Sequence, residues 1–266
     1  MDAKELIGNY PELDFPLEGR ENKPRNIGLT MIMDKGLGLS ATSDLLQLAA
    51  PYIDYVKFGF GTAAMYPSEL LKAKLSLIRS HGVQVYPGGT FLEIAYMQKK
   101  VEEYLFYVQE MGFDWIEVSD GTVAMDKLHR QQIIAKATDL GLLVITEVGK
   151  KDPRDQVANG ILIDQIKRDL DAGANYVIME GRETGLGIGM FDANGEIKKQ
   201  VLNELMDGID QPQKIIWEAP LKKQQVELIY LFGSNVNLGN IAPSEIIALE
   251  ALRRGLRGDT LRFVIH

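Results

Sequence analysis

Trp115-Ile116-Glu117-Val118 is a short apolar run interrupted by one acid, and it ends abruptly in Ser119-Asp120-Gly121-Thr122. A helical stretch, Met125–Leu140, follows and closes on Gly141. This unit of strand, polar cluster and helix recurs along the chain. The other apolar runs are Ile27–Met33, Tyr52–Phe58, Val83–Tyr86, Leu142–Thr146, Tyr176–Met179, Lys214–Trp217 and Asn235–Leu238. Their endings read Asp34-Lys35-Gly36, Gly59-Phe60-Gly61-Thr62, Pro87-Gly88-Gly89-Thr90, Glu147-Val148-Gly149-Lys150, Glu180-Gly181-Arg182-Glu183, Glu218-Ala219-Pro220 and Gly239-Asn240. Eight such units predict an α/β fold, a single (β/α)8 TIM barrel, with its chemistry at the C-terminal ends of the strands. A doubly wound open sheet alternates in the same way, but eight strands would leave it two hydrophobic edges. It also lacks a dinucleotide fingerprint, since Gly36-Leu37-Gly38 has no third glycine.

The 266 residues suit one barrel of about 250 residues. Residues 1–25, with Pro11, Pro16 and Pro24, read as an N-terminal arm or cap across the barrel bottom, and 26–266 as the catalytic barrel. A net charge of −8 argues against general affinity for nucleic acid or anionic membrane. Cysteine is absent, which removes disulfides, thiolate nucleophiles and thiolate metal sites. No apolar stretch approaches the roughly 20 residues of a membrane span, and Met1-Asp2-Ala3-Lys4-Glu5 does not open a signal peptide, so a cytoplasmic protein is expected. A helix over Ile94–Met111 places Ile94, Met97, Val101, Leu105 and Val108 on one face. Tyr104 and Tyr107 on the same stretch read as exposed apolar residues that point to a homo-oligomer, although such residues pack ordinary barrels just as often.

Side-chain parity nominates the site. Alternate residues of a strand share a face, so Ile145 and Glu147 point together, as do Ile216 and Glu218, and Glu180 and Arg182. Glu117, Glu147, Glu180 and Glu218 then converge at the barrel mouth as candidate metal ligands. Without a cation they would raise one another's pKa, and a divalent ion with oxygen ligands, Mg2+ first among them, relieves that. Lys57 stands inside an apolar run, where an unpaired ammonium is costly. Its candidate roles are anion ligand, acid or base, and Schiff-base amine; the plain alternative is an ion pair with Glu93 or Asp34. Arg182 suits bidentate binding of carboxylate or phosphate. Neither His81, His129 nor His266 stands at a strand end, so acid–base work falls to carboxylates and lysines.

Glycine-rich loops complete the set. Gly88-Gly89 and the stretch Asn237-Leu238-Gly239-Asn240 can bring backbone N–H groups to an anion, and barrels often bind phosphate after strands seven and eight. Asp34, Ser119 and Lys150, in the same strand-end clusters, join Gly88, Gly89, Asn237, Gly239 and Asn240 as candidate substrate-binding residues. Lys57, Arg182 and Glu147 are the candidate catalytic residues.

Taken in order, several strings resemble the phosphosulfolactate synthase family. They are Arg25-Asn26-Ile27-Gly28-Leu29-Thr30-Met31 with Asp34-Lys35-Gly36, Val56-Lys57-Phe58-Gly59-Phe60-Gly61-Thr62, Tyr86-Pro87-Gly88-Gly89-Thr90 and Ile116-Glu117-Val118-Ser119-Asp120-Gly121-Thr122. Glu147-Val148-Gly149-Lys150-Lys151, Glu180-Gly181-Arg182-Glu183, Asn235-Val236-Asn237-Leu238-Gly239-Asn240-Ile241 and Leu249-Glu250-Ala251-Leu252-Arg253-Arg254-Gly255-Leu256-Arg257 continue the series. Gly181 and Ala251 are small departures from the family pattern. The resemblance implies a Mg2+-dependent lyase that adds sulfite to phosphoenolpyruvate, giving (2R)-phospho-3-sulfolactate. It implies that Lys57 and Arg182 offset anionic charge, that one of the two, Lys57 before Arg182, delivers the proton, and that the loops at Gly88-Gly89 and Gly239-Asn240 hold the phosphate. Two other readings of the residues remain open. One is a Schiff-base aldolase acting through Lys57 on a phosphorylated keto substrate, the other a catalytically silent barrel with a binding role.

Overall fold

Eight parallel strands form one sheet in the computed structural model, which describes residues 6–7 and 10–265. They are β1 Thr30–Asp34, β2 Tyr55–Phe58, β3 Gln84–Pro87, β4 Trp115–Val118, β5 Leu143–Val148, β6 Tyr176–Met179, β7 Ile215–Glu218 and β8 Leu238–Ile241. Hydrogen bonds link them in the order β3-β2-β1-β8-β7-β6-β5-β4, so β8 returns to β1 and the sheet curls into a nearly closed barrel. The ladder opens between β3 and β4, and side chains bridge the seam there. Trp115 Nε1 donates to Gln84 Oε1 at 3.0 Å near the bottom, and Gly89 N donates to Glu117 Oε1 at 2.7 Å near the top. This is the (β/α)8 TIM barrel expected from the strand–helix alternation.

Strand alternation divides the core in two. Leu29, Met31, Tyr55, Tyr86, Trp115, Ile145, Ile178 and Ile216 fill the barrel interior as one buried cluster. The intervening positions, among them Ile32, Val56, Val85, Ile116, Val144, Val177 and Ile215, face outward and pack under the helices. Burying a side chain of this size contributes on the order of 1.5–3 kcal/mol, so both layers specify the strand register.

Helices α1 Leu39–Ala49, α2 Ser68–Ser80, α3 Thr90–Met97, α4 Val101–Met111, α5 Lys127–Asp139, α6 Asn159–Asp171, α7 Lys199–Gly208, α8 Lys222–Phe232, α9 Ile246–Arg253 and α10 Gly258–Ile265 make up the outer layer. The helix expected over Ile94–Met111 is two helices. Lys99 takes a left-handed conformation with φ 58°, and Lys100 N bonds back to Ala95 O, the closing bond of a Schellman turn made without glycine. The kink turns Ile94 and Met97 to the surface and buries Leu105 and Val108. It also buries Tyr104 and half-buries Tyr107, both edge-on to Phe91, so these tyrosines pack against the chain's own core and are not the exposed residues expected.

The eighth strand lies three residues later than the sequence reading placed it. Asn237 donates to the Gln213 and Ile215 carbonyls and accepts from Leu29 N, all at the bottom of the barrel. Gly239, which reads as a turn residue, is a strand residue packed against Met31 and Ile216. Residues 15–26 run across the same bottom end. Lys23 donates to the Ala50, Ile53 and Gly82 carbonyls, Arg25 pairs with Asp54, and Arg20 pairs with Glu250. Among the described residues no helix is long and apolar enough to cross a membrane. His81 and His129 sit exposed on the helical layer, and His266 lies outside the described residues.

Candidate active site at the barrel mouth

One step of two residues up each strand from the interior cluster leads to the site. Tyr55 precedes Lys57, Trp115 precedes Glu117, Ile145 precedes Glu147, Ile178 precedes Glu180 and Ile216 precedes Glu218, and all five site residues are buried. Glu180 lies one residue past β6, yet its N–H still bonds to Val148 O at 3.0 Å, so the ladder fixes its backbone. Lys57 Nζ lies 2.9 Å from Glu117 Oε2, 2.8 Å from Glu147 Oε2 and 3.4 Å from Glu218 Oε1. Its partners are thus neither Glu93 nor Asp34. Burial by itself would lower the Lys57 pKa, but the three carboxylates outweigh it and hold the amine charged well above its ordinary range.

Lys151 reaches the same floor from the loop after β5, with Nζ 3.3 Å from Glu147 Oε1 and 4.0 Å from Glu93 Oε1. Glu147 is therefore gripped at both oxygens. Burial opposes its ionisation, but Lys151 and Lys57 prevail and keep its pKa below the carboxylate range. Burial, eased by Lys57, pushes Glu117 up to about 7. Glu180 is raised well above its ordinary value by burial and by the charges of Glu147 and Glu218. Its Oε1 accepts from Arg182 N, and its Oε2 is buried with no hydrogen-bond partner.

These carboxylates fit a divalent cation. One oxygen each from Glu147, Glu180 and Glu218 lie within 4.8 Å of one another, a hard all-oxygen donor set with an orphaned oxygen. Glu180 is the member whose ionisation its neighbours oppose, and a cation against its orphaned oxygen would relieve that opposition. Glu117 stands apart from the triad because its two oxygens serve Gly89 N and Lys57. Of the four glutamates expected to bind metal, the structure brings three together in ligand geometry.

A cavity of about 200 Å³ opens above this floor, lined among others by Met33, Phe60, Thr90, Lys151, Arg182 and Asn240. Arg182 takes φ 60°, and among the described residues its guanidinium has no ion-pair partner, so it is available to an anion. Asn240, also left-handed at φ 57°, is buried at the rim with Oδ1 unpartnered. Gly88 and Gly89 line the cavity, but their N–H groups are engaged by Phe58 O and Glu117 Oε1. They shape the wall and offer no free donor to a phosphate.

Other expected substrate contacts turn away from the cavity. Asn237 is at the opposite end of the barrel, and Gly239 faces the interior core. Asp34 is paired with Lys74 at 2.5 Å and accepts from Gly36 N and Leu37 N. Ser119 Oγ donates to Glu93 Oε1, and Lys150 Nζ donates to Asp120. The sequence reading passed over Lys151 and Tyr86, and weighed Glu93 only as a partner for Lys57. Lys151 lies beyond the end of β5 and past Gly149 at φ 117°, where strand parity no longer applies, so alternation could not nominate it. Nothing in the pattern marks Tyr86, whose buried hydroxyl has no partner and is pushed well up by burial and by Glu117.

The family model for (2R)-phospho-3-sulfolactate synthase (ComA) matches residues 18–259 of this chain. The chain belongs to the phosphosulfolactate synthase family. It is 45% identical over 250 residues to the phosphosulfolactate synthase of Methanothermobacter thermautotrophicus, covering 93% of this chain and 96% of that one. The enzyme of Methanocaldococcus jannaschii is 48% identical over 236 residues, covering 88% and 93% of the two chains. That of Bacillus subtilis is 38% identical over 251 residues, covering 93% and 98%. Every floor residue lies inside the matched region, so the family's lyase-type chemistry and the strand-end site belong to the same barrel.

Proposed function

We propose that this chain joins sulfite to phosphoenolpyruvate, giving (2R)-phospho-3-sulfolactate, and that Glu147, Glu180 and Glu218 hold the assisting Mg2+. The buried carboxylate triad, set among lysines in the mouth of a barrel of this family, carries the reading. A Mg2+ ion bound there supplies Lewis-acid stabilisation of the negative charge that develops on the substrate carboxylate.

The balance of the reaction assigns work to the chain's own residues. A sulfur lone pair forms the bond to the methylene carbon, the carbon–carbon π pair moves toward the carboxylate, and the carbon bearing the phosphate takes a proton. Lys57 is caged by three carboxylates and keeps its proton tightly, so it serves as a fixed cation beneath the substrate. Glu147 raises the Lys151 pKa as well, but Lys151 lies partly open at the cavity wall, where it meets both substrate and solvent, and this suits it better for the proton-delivering role first assigned to Lys57. Solvent restores its proton after each turnover. Arg182 takes the phosphate through its guanidinium fork.

The same cage argues against a Schiff-base aldolase. Imine formation needs a neutral amine, and three carboxylates hold Lys57 as ammonium. The test is to incubate the purified protein with phosphoenolpyruvate and sulfite, with Mg2+ or with EDTA, and to assay phosphosulfolactate by mass spectrometry. Product formed only with Mg2+ supports the reading. Absence of product from folded protein with Mg2+ overturns it.

A further inference from the structure

Two lysines stand side by side after β5, and only one of them lines the cavity. The chemistry of the two side chains is identical, so their surroundings must decide which enters. Lys150 Nζ donates at 2.6 Å to Asp120 Oδ2 and at 2.6 Å to the Asp120 main-chain carbonyl. The other oxygen of Asp120 accepts from Arg130 Nη1 at 3.1 Å. Arg130 is almost wholly buried in α5, bridges to Asp169 of α6 at 2.6 Å, and donates through Nη2 to the Glu147 carbonyl at 2.9 Å. The loops after β4 and β5 are thus fastened to each other and to the strand end that carries Glu147.

Lys151 lies on the other side of this fastening. Its N–H donates to Gly121 O at 3.1 Å, and its aliphatic stem lies flat on Gly121, where an added Cβ would come within 3.0 Å of Cε and 3.2 Å of Cδ. We infer that Asp120, Lys150 and Arg130 form a latch that turns Lys150 out of the cavity and Lys151 into it. The three are positioning residues for the proton-delivering amine, an inference that rests on the sulfite-addition reading above.

Asp120→Asn keeps the shape but sets an amide N–H₂ against one of the two cations, so the latch opens without a new cavity. It and Lys150→Met should each lower kcat about 10- to 100-fold, as supporting residues around a site commonly do. The KM for phosphoenolpyruvate should stay within about twofold, since no substrate contact is removed. Lys150→Arg, whose fork still reaches the carboxylate, should recover most of the rate, and Gly121→Val should act like Asp120→Asn by displacing the Lys151 stem. A rise in KM at unchanged kcat for Lys150→Met would make Lys150 a substrate ligand and overturn the latch. Wild-type kinetics in Asp120→Asn would do the same. Acetylation footprinting by mass spectrometry tests the latch without any substrate, so it stands apart from the parent reading. Lys150 should be labelled several-fold faster in Asp120→Asn than in the unaltered protein, and equal rates overturn the latch even where product forms.

Discussion

Lys57 Nζ and Glu147 Oε2 are 2.8 Å apart on the buried floor of the cavity, and the second oxygen of Glu147 is 3.3 Å from Lys151. One carboxylate thus balances two ammonium groups, while Glu117 and Glu218 share Lys57 from its other sides. The arrangement keeps charge buried only because each member has a partner. Removing one member is therefore far costlier than the worth of any single pair.

Replacing Lys57 with methionine tests this. The variant keeps the side-chain volume but leaves Glu117, Glu147 and Glu218 buried without their shared cation. It should lose roughly 3–5 kcal/mol of stability, the usual cost of breaking a buried ion pair from one side. Urea unfolding at pH 7 in EDTA measures it, and a midpoint equal to the wild type would rule out the cage as described. Product formation should also vanish, because the fixed cation beneath the substrate is gone.

Gly89 is held by the seam. A Cβ there would meet Ser119 Oγ at 2.4 Å and Glu117 Oε1 at 2.8 Å, and Gly89 N is a donor to that same Glu117 oxygen. Gly89→Ala should push Glu117 off its position by a fraction of an ångström or more and lower kcat about 100-fold, the scale of a 1 Å misplacement in an active site. Steady-state kinetics at saturating substrates decide it, and a kcat within a factor of about two of wild type would mean the wall can yield.

The barrel and most of its floor could be read from the sequence because period-two alternation is a strong signal in buried strands. Each step from an interior residue such as Ile145 to Glu147 follows from parity alone. Asn237 and Gly239 were misplaced because Asn and Gly read as turn residues, while here the asparagine caps strand starts at the bottom and the glycine packs in the core. The break between α3 and α4 left no mark, since Lys99 holds a left-handed conformation that sequence assigns to glycine. Lys150 and Lys151 are indistinguishable in sequence, and only Asp120 and Gly121, some thirty residues earlier, separate their roles.

Glu117 gives a pH dependence with a definite sign. Its carboxyl is raised from the ordinary 4.5 to about 7 in the folded protein, mainly by burial. The folded state then binds this proton more tightly than the unfolded chain. Stability from this group is full below pH 4.5, falls as pH rises to about 7, and levels off beyond, a loss of order 3 kcal/mol. Glu117→Gln should flatten that part of the curve in EDTA, with Glu180 leaving a residual slope of the same sign. Melting temperatures from pH 4.5 to 8 check it, and a variant curve as steep as the wild type would place the titration elsewhere.

Glu180 separates the metal triad from the rest of the floor. Its Oε2 is buried without a partner beside two other carboxylates, so Glu180→Gln removes a source of repulsion in the metal-free protein. The metal-free variant should melt at or above the wild type. Mg2+ binding to the native state at 100 times its Kd stabilises wild-type protein by about 2.7 kcal/mol through mass action alone. That gain should shrink sharply in Glu180→Gln and persist in Glu117→Gln, whose oxygens serve Gly89 and Lys57. Thermal melts across a Mg2+ titration read all three proteins side by side. A full Mg2+ response in Glu180→Gln would take the ion away from this triad, and loss of the response in Glu117→Gln would return Glu117 to the ligand set.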